Sequence, residues 1–161
     1  MTKPMRARGA RSGYRRILWP TDFSALASAA LPHAMDLAAD AGAELVLLHV
    51  LTPPLAYAGP DIPGALWGEL QRKNRAAARE ELRRLAAQVR GPNVRVHAVL
   101  AEGVPFDQIL RVARRLRCDL IVLATHGRTG LSHMLLGSVA ENVVRRATCP
   151  VLTVRPPRLK P

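Results

Sequence analysis

Long apolar runs are missing from this chain of 161 residues. Its longest apolar stretches, such as Leu45-Val46-Leu47-Leu48, fall far short of the roughly 20 residues that span a bilayer, so no transmembrane helix and no membrane partner are expected. Cysteine is almost absent. Cys118 and Cys149 stand far apart without CxxC spacing, which excludes a disulfide scaffold and a cysteine zinc site and suits a reducing compartment, here the cytoplasm. Both read as packing residues. Aromatic residues make up only 4% of the chain, too few to supply the stacking platforms of a nucleic-acid binder. The arginines of the N-terminus are followed by no apolar segment, so a secretory signal is not expected.

The formal net charge of +12 is distributed unevenly. Lys3, Arg6, Arg8, Arg11, Arg15 and Arg16 crowd the start without an acid, and Arg155, Arg158 and Lys160 close the chain. Residues 17–154 hold 15 basic against 12 acidic side chains and are nearly neutral. This gives a basic, disordered arm over 1–13, one domain over 14–155 and a tail over 156–161. A basic arm attracts any polyanion weakly; specific nucleic-acid recognition is not expected. With 48% hydrophobic residues, the body has the apolar material for a single core.

Short apolar runs alternate with helical patterns. Ile17-Leu18-Trp19 reads as a strand stopping at Pro20, and 23–42 as a helix capped by Asp22 or Ser24, ended by Gly42 and kinked at Pro32. Residues 45–50 form a buried strand, and the proline-rich segment 53–64 a loop. A helix follows over 66–90, its arginines forming a solvated face. Val94, Val96 and Ala98 alternate with polar residues as in an edge strand, and 105–117 is a helix with Pro105 in its first turn. Leu120 to Ala124 is a buried strand, 139–147 a helix and Val151 to Val154 the last strand. Strict alternation means an α/β fold, a five-stranded parallel sheet with helices on both faces. Ligands of such sheets bind at the carboxyl ends of strands where the winding reverses, which directs the search to the turns after strands one and four.

The turn after strand one, Pro20-Thr21-Asp22-Phe23-Ser24, has no glycine and excludes the GxGxxG fingerprint. After strand four, a long segment runs from Thr125-His126-Gly127-Arg128 to Gly137-Ser138 and opens a helix. Glycines let backbone approach a ligand, and the N–H groups of Ser138, Val139 and Ala140 at a helix start suit an anion. The same spacing also fits a plain connection in which Gly127 and Gly130 serve turns and Ser138 caps the helix. No P-loop lysine is present; Arg128 is the nearby cation and His126 a candidate neighbour of phosphate. His126 and His133 lack flanking ligands for a metal site. His49 reads as a core histidine.

Together PTDFS after strand one, LLHV in strand two and THGRTGLSHMLLGSVAENVVRRATCPVLTV resemble the universal stress protein family. The resemblance implies strand order 3-2-1-4-5 and a phosphate motif G-x2-G-x9-G-[ST], which falls on Ala124, Gly127, Gly137 and Ser138. Ala124 replaces the first glycine, a change that matters if that position needs positive φ or touches the ligand. It further implies that Pro20, Thr21, Asp22 and Val50 line the nucleoside, with Asp22 near adenine, ribose or a divalent ion. With Leu123, Thr125, His126, Arg128 and Val139 these make the candidate nucleotide site. The ligand implied is ATP, or AMP or ADP, with Mg²⁺, in a stress-responsive regulatory module that dimerises through the Val151–Val154 edge. Two alternatives stay open: a slow ATPase or nucleotide-transferring enzyme, for which no water-positioning base is visible, and a dimeric scaffold without nucleotide.

Overall fold

Strand β1 (Arg16–Thr21) lies at the centre because both of its faces are apolar: Ile17, Leu18 and Trp19 are fully buried. The computed structural model describes residues 13–52, 64–89, 94–125 and 137–155. Around β1 stand β2 (Glu44–Leu51), β3 (Arg95–Glu102), β4 (Leu120–Ala124) and β5 (Val151–Val154). All pairs are parallel, in the order β3-β2-β1-β4-β5. The expected α/β fold and strand order are observed.

Side chains alternate along each strand, so one sheet makes two cores. Ile17, Trp19, Leu45, Leu47 and Val122 pack under α2 (Leu31–Ala41) and α3 (Gly64–Val89). Leu18, Val46, Leu48, Ile121 and Leu123 pack under α4 (Pro105–Arg115) and α5 (Ser138–Arg146). Covering both faces is what makes the central strands continuously apolar. The edges are different. In β3, Arg95, His97 and Ala98 are exposed, and in β5 Leu152 is 38% exposed. No helix among the described residues is long and apolar enough to cross a membrane.

Two local expectations are corrected. The strand does not stop at Pro20: it continues to Thr21, with Pro20 in register with Leu48. Toward β4 the ladder pairs only Ile17 and Leu18, so the missing proline N–H falls beyond that ladder. The first helix is also not one kinked rod. It is a short α1 (Ala25–Ser28) and then α2, with Pro32 in the first turn of α2. There a proline removes no helical hydrogen bond, so Pro32 starts a helix where it was expected to bend one. Gly42 ends α2 at φ 66°, its N–H turned back to the Ala38 and Ala39 carbonyls.

The amino end of the sheet is clamped by charge. The Asp119 carboxylate accepts the backbone N–H groups of Arg15 at 2.8 Å and Arg16 at 3.1 Å. The Arg16 guanidinium pairs with Glu44 at 2.6 Å and donates to the Leu116 carbonyl. Three neighbouring strands are thereby tied at one end.

Candidate functional site

At the carboxyl end the winding reverses: β1 leads to β2 on one side, whereas the chain returns through α4 to β4 on the other. The turn leaving β1 is fixed by its own side chains. Thr21 Oγ1 accepts the Phe23 N–H at 3.0 Å, Asp22 Oδ1 accepts the Ser24 N–H at 3.0 Å, and Ser24 Oγ accepts the Ala27 N–H at 3.1 Å. Ser24 is therefore the cap of α1 and Asp22 shapes the turn before it, which settles the choice left by the sequence. Between them Phe23 sits at φ 63°, a left-handed conformation that costs a non-glycine residue about 1 to 2 kcal/mol. The Phe23 ring stacks on His49, with centroids 4.1 Å apart and an interplanar angle of 25°. The His49 Nδ1–H donates to the Thr21 carbonyl at 2.8 Å.

Strained backbone held by several contacts is common at ligand sites, and here it holds the turn beside the end of β2. His49 is paired with Thr21, and Val50 follows it beside the Asp22 position, part-buried against the α4 and α5 core. Pro20 is part-buried and Thr21 buried. The sequence treated His49 as core only. It is buried, but it also fixes this turn; the signal is a histidine one residue before Val50, and only register connects it with Thr21.

Across the reversal, the Thr125 N–H donates to the Val154 carbonyl at 2.9 Å, and the Thr125 carbonyl accepts the Gly137 N–H at 2.7 Å. That second bond closes the base of the connection and brings Ala124 and Thr125 together with Gly137 and Ser138. His126, Gly127 and Arg128 lie outside the described residues. The cap position of α5 is Gly137, without a side-chain cap bond, and Ser138 is the first helical residue. The alternative in which Ser138 caps the helix is thus corrected. The N–H groups of Ser138, Val139 and Ala140 belong to a first helical turn, which has no earlier carbonyl of its own helix to accept them. Ser138 is exposed and Val139 packs against the α4 and α5 core.

Ala124 and Leu123 turn inward. The Ala124 methyl packs on the α2 and α3 core, and the residue has no positive φ, so backbone conformation gives no reason for a glycine there. Leu123 is 4% exposed and offers the site backbone only. Burial pushes the Cys118 thiol up to about 12 and raises Cys149 as well; both remain neutral thiols in the α4 and α5 core, as packing residues should. Among the described residues no group of three or more His, Cys, Asp or Glu could hold a metal ion.

Comparison with known proteins gives a consistent result. A model described as the universal stress protein family matches residues 13–155. Universal stress protein MJ0531 of Methanocaldococcus jannaschii is 34% identical over 145 residues, covering 90% of this chain and 84% of that protein. Universal stress protein A homolog 1 of Coxiella burnetii is 36% identical over 143 residues, covering 88% and 96%. The solved structure of MJ0577 superposes with a TM-score of 0.80 at 30% identity, over 91% of this chain and 99% of that one. A universal stress protein solved in complex with cAMP shares the fold at 24% identity and a TM-score of 0.59, over 89% of this chain and 98% of that one.

Proposed function

The chain belongs to the universal stress protein family, and from that membership we propose that it binds an adenine nucleotide at the carboxyl end of its sheet, as a regulatory module in a stress response. The observation that carries this reading is the bond between the Thr125 carbonyl and the Gly137 N–H. It sets the first turn of α5 against the end of β4, next to the end of β1, where α/β sheets take their ligands. The phosphates lie on the amides of Ser138, Val139 and Ala140, where partial positive charge favours an anion. From the sequence motif alone we assign Gly127, Arg128 and His126 to the same side. Pro20, Thr21, Asp22 and Val50 bound the nucleoside side, with backbone from Leu123, Ala124 and Thr125.

With ATP, Mg²⁺ suits the site because it needs few protein ligands: phosphate oxygens, waters and one carboxylate satisfy it, and Asp22, directly after β1, is the carboxylate we assign to it. The domain is residues 14–155, and its second copy pairs along the free edge of β5, covering Leu152. A micromolar sample scatters light as a dimer on this reading; a monomer rejects the pairing. No residue here is assigned a catalytic role.

The test is a mass spectrum of small molecules released from freshly purified protein, followed by calorimetric titration with ATP and AMP. An adenine nucleotide in the spectrum, or heat of binding to the emptied protein, is expected. A protein that carries none and takes up neither nucleotide overturns the proposal.

A further inference from the structure

At the edge of the sheet opposite β5, a groove of about 600 Å³ runs between α3 and the edge strand β3. Its floor is apolar, made by Val96, Ala98 and Leu100 of β3 and by Leu82 and Ala86 of α3. Arg79 and Arg83 stand among its lining residues, and none of the residues lining it is acidic. Arg83 is already engaged by Glu80 at 2.8 Å, and Arg84 by the same carboxylate at 3.0 Å. The two guanidinium groups hold Glu80 down to about 2, so it stays a carboxylate between them. Arg79 has no ion pair among the described residues.

The strand beside the groove is open as well. β3 pairs with β2 through eight consecutive residues without interruption, and no described strand pairs with its other side. Half of its peptide groups therefore point outward. Natural edge strands are commonly blunted by proline, lysine, a bulge or shortness. β3 reads RVHAVLAE: it has no proline or lysine, its register has no bulge, and it is twice as long as the four-residue β5 at the opposite edge. Ala98, at the middle, is exposed.

An apolar floor, a strand edge that no described strand pairs and a guanidinium with no ion pair among the described residues fit one kind of occupant. We propose that the β3 edge is a docking site for an extended acidic peptide of a partner protein, which adds a strand to the sheet, sets alternate apolar side chains into the groove and places a carboxylate on Arg79. Strand addition draws affinity from main-chain hydrogen bonds and selectivity from the pockets under alternate side chains. Charge selects the partner. A second copy pairing edge to edge would bring the same arginines, Arg79 and Arg83, to this rim, whereas an acidic segment brings complementarity.

The probe is a fluorescein-labelled extended peptide that carries valines and a glutamate on the face turned to the groove, with threonines between them, and the control has lysine in place of glutamate; both are titrated against the full chain by anisotropy. The acidic peptide should bind at least about tenfold more tightly, and Arg79→Glu should remove most of that preference. Ala98→Phe, which fills the floor at an exposed position, should weaken binding while thermal unfolding stays near that of the parent. Amide exchange of residues 95–102 should slow when the acidic peptide is bound. Equal binding of the two peptides, binding indifferent to Arg79→Glu, or protection that appears elsewhere in the chain would overturn the proposal. The last outcome would assign the attraction to diffuse positive charge.

Discussion

The two ends of the sheet are built on opposite plans. At the amino end, side chains close on one another: Asp119 holds the Arg15 and Arg16 amides, and Arg16 holds Glu44 and the Leu116 carbonyl. At the carboxyl end, a strained turn and a helix start expose backbone, tied by local bonds at Thr21, Asp22 and Thr125. The same strands thus carry stability at one end and leave the other available for a ligand. Substitutions at the amino end should change unfolding and leave binding alone, whereas losses of binding should arise only at the carboxyl end.

Gly137→Val should have the largest effect. A branched side chain at the cap of α5 crowds the amides proposed to take phosphate, and ATP affinity measured by calorimetry should fall about 100-fold, or about 2.7 kcal/mol. Its stability should change little, since Gly137 makes no side-chain cap bond and its φ of −68° is open to any residue. Asp119→Ala tests the other end. It removes a charged acceptor of two amides and should cost about 2 kcal/mol in urea unfolding, with ATP affinity unchanged. A loss of ATP binding in this variant would break the comparison. Ser24→Ala removes the cap of α1 at the carboxyl end and should cost about 1 kcal/mol.

The effect that is smallest at neutral pH is an alkaline pH dependence at the amino end. Cys118 precedes β4, and its thiol is raised from 9.0 to about 12, mainly by burial. The folded state favours the neutral thiol, so its contribution to stability is fully present below pH 9 and is lost as pH rises toward 12. Cys118→Ala should flatten that alkaline slope in urea unfolding. The native thiol should also react slowly with a disulfide reagent at neutral pH.

Much of this organisation could be read from the chain, and the exceptions share a cause. Runs such as 45–50 mark central strands because both faces of the sheet are covered, and the half-polar pattern of β3 marks an edge. What escaped depends on partners distant in sequence or on where an element begins. Pro32 bends or starts a helix according to the position of the first turn, which composition does not fix. The Arg16 clamp joins residues 28 and 103 positions apart, so nothing near Arg16 announces it. At the candidate site, the helix start at Ser138 was legible, but the left-handed Phe23 and its stacking on His49 were not, because the stacking requires the β1 to β2 register.

Amide hydrogen exchange with and without ATP tests the central claim most directly. Saturating ATP should slow exchange at residues 21–24 and 138–140 and leave Arg15, Arg16 and Asp119 unchanged. Protection confined to the amino end, or none at either end while ATP is bound, would contradict the division of the sheet into a structural end and a ligand end.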